Sequence, residues 1–260
     1  MSLKNKVAVI TGSTSGIGLG IAKGFAKAGI HLIINGLADK AEIENILQQL
    51  QGCGVKAIYH PADMTCPEQI HDLIETTVQT FGAIDILVNN AGIQKVAAIN
   101  ELPPEKWDEI IAVNMSSSFH TIRTALEYMR KQGWGRIINI ASAHGLVASP
   151  FKSAYVTAKH GIVGLTKTVA LEVALDNITC NAICPGYVKT PLVEKQITDT
   201  AKARGISEEQ VVNDVLLAAQ WTKKFVTVEE LADTALFLCS DGAQNITGTA
   251  LSVDGGWTAA

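Results

Sequence analysis

The sequence is poor in charged residues, and neither sign dominates. Lys, Arg, Asp and Glu make up 18% of the 260 residues, against about 25% in an average soluble protein, and the formal net charge is −4. Nucleic-acid-binding proteins carry clusters of positive charge, so this balance argues against a nucleic-acid partner. Hydrophobic residues nevertheless reach 47%, which is enough to bury a sizeable core and excludes a disordered chain.

Long hydrophobic runs and paired cysteines are also missing. No apolar stretch approaches the ~18 residues of a membrane helix. Near the N-terminus only residues 7–10 form an apolar run, whereas a signal peptide needs about 7–15 such residues. The five cysteines are scattered without any C-x-x-C spacing, which argues against a zinc site and a disulfide framework. We therefore expect a cytoplasmic protein that binds neither a metal nor a membrane.

Short apolar segments alternate with helical patterns along the whole chain. Strands are predicted at 7–11, 31–35, 56–60, 86–89, 136–140, 179–183 and 250–253, and helices at 17–28, 41–51, 67–81, 104–132, 155–174 and 227–240. This alternation predicts a parallel sheet covered on both faces, as do the strands that are apolar throughout. We expect one doubly wound α/β domain over residues 1–260, with its ligand at the carboxyl ends of the strands.

The segment 188–222 interrupts this alternation. Ser207 and Gln210 form a capping pair at the start of a helix predicted over 207–219, which has one apolar face. An insertion of this kind after the sixth strand fits a small helical lid over a site. It fits an ordinary packed helical excursion equally well.

A glycine-rich loop follows the first predicted strand and precedes the first helix. Its glycines have the spacing G-x-x-x-G-x-G, which differs from the G-x-G-x-x-G fingerprint. Such a loop lets the backbone approach a phosphate, and the helix N-terminus offers unpaired N–H groups to it. We therefore predict a dinucleotide site rather than a plain tight turn, with contacts from Gly12, Thr14, Ser15, Gly16, Ile17 and Gly18.

The residues after the second strand distinguish NAD from NADP. An acidic residue there binds the ribose hydroxyls of NAD, and a nearby arginine accommodates the additional phosphate of NADP. The sequence has Asn35-Gly36-Leu37 instead, and Lys40 is the only cation nearby. Because the phosphate would lack a strong partner, we predict NAD, with Leu37 among its contacts.

Two further segments follow strands and are predicted to contact the dinucleotide. Asp63, beside Met64, is placed to accept a hydrogen bond from the adenine amine, although it could instead cap the helix ahead of Pro67. The small residues and amide after the fourth strand suit a close approach of backbone to the cofactor, or else a generic turn. These residues are Asn90, Ala91 and Gly92.

Four polar residues together suit the oxidation of an alcohol. Tyr155 and Lys159 are four residues apart at the start of a helix, so they share a face. A nearby ammonium and a cationic nicotinamide would both lower the pKa of the tyrosine from about 10 and make it a base. Ser142 could then hold the substrate oxygen, and Asn114 could position a water that links Lys159 to solvent.

These motifs, in this order, resemble the short-chain dehydrogenase/reductase family over essentially the whole chain. The resemblance rests on segments 11–18 and 89–92, on Tyr155-x-x-x-Lys159 and on Pro185-Gly186. It implies a Rossmann-type domain with seven parallel strands, usually assembled as a homotetramer. It also implies that Asn114, Ser142, Tyr155 and Lys159 form a catalytic tetrad. The implied cofactor contacts are Tyr155, Lys159, Pro185, Gly186, Val188 and Thr190.

Further polar residues flank this tetrad and suggest a small carboxylate substrate. Gln94, His144, Lys152 and Gln196 are all hydrogen-bond donors, although His144 and Lys152 alone could be ordinary loop residues. Segments 90–94, 141–149, 190–196 and 254–257 resemble family members that interconvert (R)-3-hydroxybutyrate and acetoacetate with NAD. The resemblance implies that those four residues hold the carboxylate, with Ser142 and Tyr155 at the reacting oxygen and Tyr187 and Trp257 around the methyl group.

Three alternatives remain open at this point. A 3-oxoacyl thioester reductase would usually need NADP and basic contacts, which the sequence does not supply. A polyol dehydrogenase would leave His144 and Lys152 without an anionic partner. A non-catalytic dinucleotide-binding regulator would commonly have lost Tyr155 or Lys159, and this sequence has both.

Overall fold

A sheet of parallel strands lies at the centre of the protein. The computed structural model describes residues 2–190, 193–194, 197–198, 201 and 205–260. Within these residues seven strands pair in the order β3-β2-β1-β4-β5-β6-β7, which confirms the predicted α/β sheet. The strands are β1 Val7–Ile10, β2 His31–Asn35, β3 Ala57–His60, β4 Ile86–Asn89, β5 Gly135–Ile140, β6 Ile178–Pro185 and β7 Ala250–Val253.

Helices cover both faces of this sheet. They are α1 Gly16–Lys27, α2 Lys40–Gln51, α3 Pro67–Phe81, α4 Pro104–Ile111, α5 Ser117–Gln132, α6 Ser153–Glu172 and α7 Val228–Cys239. Within the described residues, no helix is long and apolar enough to cross a membrane.

The side chains of the central strands alternate between two buried clusters. Ala8 and Ile10 of β1 pack into the cluster that contains residues of α1, α2 and α7. Val7 and Val9 point to the opposite cluster, with residues of α3, α5 and α6. Because both faces of the sheet are buried, its strands need no alternation of polar and apolar residues. This explains why the strands are apolar throughout in the sequence.

The helix α7 begins where its capping residues predict. Thr227 Oγ1 accepts a hydrogen bond from the backbone N–H of Glu230 at 3.1 Å, and Glu230 Oε2 accepts one from the N–H of Thr227 at 2.7 Å. This reciprocal pair satisfies two N–H groups that have no partner within the helix. Ser207 and Gln210 form the same arrangement at the start of the turn Glu208–Gln210.

Two predicted helices differ from the sequence expectation because they contain π-helical turns. The helix expected over 104–132 is interrupted at Ala112–Ser116, between α4 and α5. The helix expected over 207–219 is one α-helical turn, followed by the π-helical segment Val211–Leu216. A π turn holds one residue more than an α turn, so the 3.6-residue period of apolar side chains does not reveal it.

The strand order reverses direction between β1 and β4. From β1 the chain proceeds to β2 on one side of the sheet, whereas β4 lies on the other side. The helices that follow these two strands therefore cover opposite faces of the sheet, and a crevice forms at the carboxyl ends of the strands. Such a crevice is where open α/β sheets bind ligands.

Candidate active site

The glycine loop after β1 is pressed closely against the end of β4. Gly12 has a φ of +61°, and a Cβ at this position would lie only 2.8 Å from the Cα of Ala91. Ser15 is the N-cap residue of α1, and its side chain makes no capping hydrogen bond. The first N–H groups of α1 thus face the crevice without a side-chain cap, as a site for a pyrophosphate requires.

Asn90 holds this loop in place. Its Nδ2 donates hydrogen bonds to the carbonyl oxygens of Thr11 at 2.9 Å and of Gly12 at 2.8 Å. Thr11 Oγ1 in turn accepts from the backbone N–H groups of Asn90 and Ala91, both at 3.0 Å. A Cβ at Gly18 would collide with Asn90 Nδ2. The predicted cofactor residue Asn90 therefore shapes the cradle through its side chain.

The end of β2 is held by Asn35, whose side chain is buried rather than exposed to the crevice. Its Nδ2 donates to the carbonyl oxygens of His60 at 3.1 Å and Ala62 at 2.8 Å. Leu37 is fully exposed, and its carbonyl accepts from Thr14 Oγ1 at 3.2 Å. Lys40 lies 3.8 Å from Glu44 on the surface. No arginine lies in this segment of the chain.

Asp63 is exposed after β3 and stabilises its own turn. Its Oδ1 accepts from the backbone N–H and the hydroxyl of Thr65, both at 2.8 Å. The N-cap residue of α3 is Cys66, so the alternative that Asp63 caps this helix is wrong. Met64 beside it is buried. Asp63 retains unused carboxylate lone pairs with which it could accept a further hydrogen bond.

The chain that leaves β6 passes next to the glycine loop. A Cβ on Gly16 would come within 3.6 Å of the side chain of Thr190, so these two predicted cofactor residues are neighbours. Val188 pairs with Val226, and the N–H of Gly186 donates to the carbonyl of Val253 at 3.0 Å. The chain from Pro185 to Thr190 is thereby fixed on one side of the crevice.

The predicted tetrad residues Tyr155, Lys159 and Ser142 meet at the carboxyl ends of β5 and β6. Lys159 is buried, and its Nζ donates to the carbonyl oxygen of Ile140 at 2.7 Å. The same Nζ is 5.6 Å from the ring centroid of Tyr155. Ser142 is close enough to Tyr155 to act on its pKa, and the Oγ of Ser142 accepts from the N–H of His144 at 3.1 Å.

Burial shifts the pKa values of this cluster. Burial raises the pKa of Tyr155 above its ordinary value, and the neighbouring Ser142 hydroxyl opposes this rise. Burial also lowers the pKa of Lys159 to about 8. Both shifts have the same cause, because a low-polarity environment disfavours the charged form of each group. The protein by itself therefore raises the pKa of Tyr155, whereas the sequence predicts a lower one.

Asn114 lies in the π-helical segment Ala112–Ser116, and both ends of its amide are hydrogen bonded. Its Oδ1 accepts from the backbone N–H of Ile93 at 2.8 Å, and its Nδ2 donates to the Ile93 carbonyl at 2.9 Å. The side chain thus joins this segment to the chain that follows β4, including Gly92. The role of Asn114 in holding a water stays a prediction.

A cation and a buried imidazole lie beside Tyr155. The Nε2 atom of His144 is buried and has no hydrogen-bond partner among the described residues. Burial, and to a smaller extent the charge of Lys152, lower the pKa of His144 to about 4, so that the imidazole is neutral near pH 7. Burial also lowers the pKa of Lys152. No described carboxylate forms an ion pair with Lys152.

Aromatic rings close this side of the site. The rings of Tyr187 and Trp257 stack with centroids 5.6 Å apart and an angle of 11° between their planes. His144 is nearly perpendicular to Trp257 at 5.0 Å and to Tyr155 at 6.1 Å. Lys152 Nζ lies 5.7 Å from the centre of the Tyr187 ring. The arrangement places the Lys152 cation at the edge of a group of packed aromatic rings.

Comparison with known proteins assigns the family. The family model for short chain dehydrogenases matches residues 6–201, three quarters of the chain. The chain belongs to the short-chain dehydrogenase family.

Individual relatives of this dehydrogenase align along its whole length. The chain is 62% identical to the D-beta-hydroxybutyrate dehydrogenase of Rhizobium meliloti, with 98% of the chain and 99% of the relative covered. It is 52% identical to the protein of the same name from Cupriavidus necator, with 99% of each covered. A crystal structure of a variant actinorhodin polyketide ketoreductase with NADPH has a TM-score of 0.91 and 33% identity, covering 98% of this chain and 97% of that one.

Of the two glutamines predicted to bind the substrate carboxylate, only Gln94 belongs to the described residues. Gln94 is exposed in the segment after β4. Gln196 lies outside the described residues of the dehydrogenase. The described residues contain no group of three or more His, Cys, Asp or Glu side chains that could hold a metal ion.

Sequence reasoning missed several residues that shape the dehydrogenase site. In the sequence motifs Asn35 counts only as the absence of an acidic residue, and Thr11 only as the start of the glycine loop. A polar residue at the end of an apolar strand is a signal that could have identified both, because a buried amide or hydroxyl needs partners. Gln220 carries no such signal, since it follows a helix and its burial involves Gly186 and Tyr187, which are distant in sequence.

Proposed function

We propose that the protein oxidises (R)-3-hydroxybutyrate to acetoacetate, reversibly, with NAD as the hydride acceptor. The observation that carries this proposal is the pair formed by the Lys152 cation and the unpartnered Nε2 of His144, next to Tyr155. A small carboxylate supplies the anion that this corner lacks. The names of the two relatives at 62% and 52% identity support the same substrate.

In this proposal the chain supplies proton transfer and orientation. The Tyr155 oxygen accepts the proton of the substrate hydroxyl while Ser142 holds that oxygen by a hydrogen bond. The Lys159 ammonium, 5.6 Å from the Tyr155 ring centroid, stabilises the phenolate. Asn114 positions a water that returns the proton to solvent. The nicotinamide ring supplies the site that takes up the hydride when it is bound.

The glycine cradle is the proposed dinucleotide site, and its geometry fits such a cofactor. The cradle has no room for side chains at Gly12 and Gly18, and the start of α1 is uncapped. NAD is favoured over NADP because Lys40, the cation next to the end of β2, lies within reach of Glu44. The proposed contacts are Gly12, Thr14, Ser15, Gly16, Ile17, Gly18, Leu37, Asp63, Met64, Asn90, Ala91, Gly92, Tyr155, Lys159, Pro185, Gly186, Val188 and Thr190.

The proposed substrate contacts divide by chemistry. Gln94, His144, Lys152 and Gln196 would bind the carboxylate, because each can donate a hydrogen bond. Tyr187 and Trp257 would face the methyl group, since their stacked rings form the apolar side of the pocket. Ser142 and Tyr155 would contact the hydroxyl oxygen.

A comparison of substrates tests the proposal. Initial rates are measured for (R)-3-hydroxybutyrate, its methyl ester and short diols, each with NAD and with NADP. We expect the acid with NAD to have the highest kcat/KM, because the ester and the diols lack the charge that Lys152 binds. Equal values for acid and ester would contradict recognition of an anion, and a preference for NADP would contradict the cofactor assignment.

Three further expectations remain part of the proposal. We infer that residues 1–260 act as one domain, with 188–222 as a lid. We infer a homotetramer, supported by the exposed apolar side chains of Phe119, Leu171 and Phe237. The five free cysteines favour the reducing cytoplasm. Light scattering and cell fractionation test the assembly and the compartment.

A further inference from the structure

Gln220 is fully buried and joins two separate parts of the chain. Its Oε1 accepts a hydrogen bond from the backbone N–H of Tyr187. Its Nε2 donates to the carbonyl oxygen of Lys224 at 2.6 Å. Among neutral side chains an amide is suited to this position, because one end accepts and the other donates. A single side chain thus ties the chain after β6 to the segment before α7.

Glycines surround this amide and allow the close approach. A Cβ on Gly186 would lie 2.5 Å from Gln220 Oε1. Gly255, with a φ of +61°, faces the Gln220 side chain from the C-terminal turn, where a Cβ would be 3.4 Å from the Gln220 Cβ. The N–H of Thr222 donates to the Gly255 carbonyl at 3.1 Å. Gln220 therefore lies between the segment after β6 and the C-terminal turn.

These two segments carry the two aromatic rings of the pocket wall. Tyr187 directly follows Gly186, and Trp257 is two residues after Gly255. Trp221, next to Gln220, packs against Gly256. The separation of 5.6 Å between the stacked rings therefore depends on how residues 220–222 hold both segments.

We infer that Gln220 is a positioning residue for substrate chain length. It is not among the proposed substrate or cofactor contacts, and it acts by fixing the Tyr187 backbone and so the wall around the methyl group. The inference rests on the proposed function, because it assumes that the stacked rings face the alkyl end of the hydroxy acid. A displaced wall leaves room for a longer chain, which an intact wall excludes.

Two variants of Gln220 separate positioning from support of the fold. Gln220→Met has a similar length but loses both hydrogen bonds. Gln220→Glu keeps the acceptor for the Tyr187 N–H and loses the donor to Lys224, and it also buries a charge. We expect Gln220→Glu to be the less stable variant, because burying an unpaired charge is costlier than removing an amide. We nevertheless expect Gln220→Glu to be the more selective variant for the shorter substrate, because it keeps the hydrogen bond that holds Tyr187.

The measured quantity is the ratio of kcat/KM for 3-hydroxybutyrate to that for 3-hydroxyvalerate, with thermal unfolding followed in parallel. One methylene in an apolar pocket changes kcat/KM by about 10–200-fold. We expect Gln220→Met to lower the ratio by about tenfold and Gln220→Glu to keep it within about threefold of the wild type. In both Gln220 variants, kcat for 3-hydroxybutyrate should differ from the wild-type value less than KM does.

Asn181→Leu is the matched control. Asn181 is also a buried amide with both ends bonded, to the Ile246 carbonyl at 2.7 Å and the Thr249 N–H at 3.2 Å. Asn181 holds the chain before β7 rather than the wall formed by Tyr187 and Trp257. Its variant should therefore be less stable than the wild type but have the same ratio of kcat/KM for the two substrates.

Each remaining outcome has a definite meaning. A wild type without activity on 3-hydroxybutyrate overturns the proposed function. An active wild type whose ratio does not move in Gln220→Met overturns the inference alone. The inference is also overturned if the ratio of kcat/KM falls in step with the loss of thermal stability across the three variants. Failure of both Gln220 variants to fold also overturns it, because Gln220 would then support the whole fold.

Discussion

Lys159 is anchored to Ile140 through a hydrogen bond of 2.7 Å between its Nζ and the carbonyl oxygen at the end of β5. This bond fixes the ammonium near the Tyr155 ring, 5.6 Å from its centroid. Burial acts against both charges needed here, since it raises the pKa of Tyr155 and lowers that of Lys159. The protein thus places side by side two groups whose charged forms are both disfavoured by burial.

Replacing Lys159 should shift the pH dependence of alcohol oxidation. Oxidation requires the Tyr155 phenolate, so its rate rises with pH. Lys159→Met removes the positive charge, which raises the pKa of Tyr155 further and moves the rise in kcat/KM to higher pH by about one unit or more. Lys159→Arg keeps a charge and should shift the profile less. An unchanged midpoint in Lys159→Met would show that the ammonium does not act on the phenol.

Tyr155→Phe should remove turnover and leave the cofactor site intact. The change deletes only the phenol oxygen, the proposed base, and keeps the ring that packs against His144. We expect kcat to fall by at least about 10³-fold, while the Kd for NAD, measured by fluorescence or calorimetry, changes by less than about threefold. A variant that retains activity would exclude Tyr155 as the base.

Lys152→Ala should weaken binding of the acid selectively. A hydrogen bond with a charged group contributes about 1.5–3 kcal/mol, so KM for 3-hydroxybutyrate should rise by roughly 10–150-fold. KM for the methyl ester should hardly change, because the ester carries no charge. Lys167→Ala, an exposed lysine on α6, serves as the control. A KM for the acid that stays the same would exclude a contact between Lys152 and the carboxylate.

Asn90→Ala should weaken binding of the dinucleotide by loosening the glycine loop. The change removes the hydrogen bonds to the Thr11 and Gly12 carbonyls, so the glycine loop loses its support from β4. We expect the Kd for NAD to rise by about tenfold, the equivalent of one or two hydrogen bonds, and kcat at saturating NAD to change little. The exposed Asn245 provides the control variant. Equal affinities in wild type and Asn90→Ala would contradict this role.

The sheet and the order of site residues were predictable because both depend on local patterns. Each strand from β1 to β7 is a short apolar run, and the predicted bounds agree with the observed ones to within two residues. The glycine loop and Tyr155 with Lys159 are local motifs too. Parallel strands then bring their carboxyl ends to one edge, so residues that follow strands had to converge.

The remaining features depend on contacts between distant segments. The π turn at Asn114 is accompanied by two bonds to Ile93, 21 residues away, and nothing in the 3.6-residue period marks it. Gln220 is polar at a helix end, where an exposed side chain is the ordinary expectation. The rise in the pKa of Tyr155 follows from burial, which a sequence motif does not report.

The acid stability of the fold should depend on His144. Its pKa in the folded protein is lowered from 6.5 to about 4, so between these values the unfolded chain binds a proton that the folded one does not. Stability therefore falls as pH decreases through this window, by at most about 1.4 kcal/mol per pH unit for one proton. His144→Gln removes this contribution and should make the free energy of unfolding less steep between pH 6.5 and 4. Urea unfolding at fixed protein concentration measures the slope, with His71→Gln, an exposed position on α3, as the control. If His144→Gln and wild type have the same slope, the imidazole takes up its proton equally in both states.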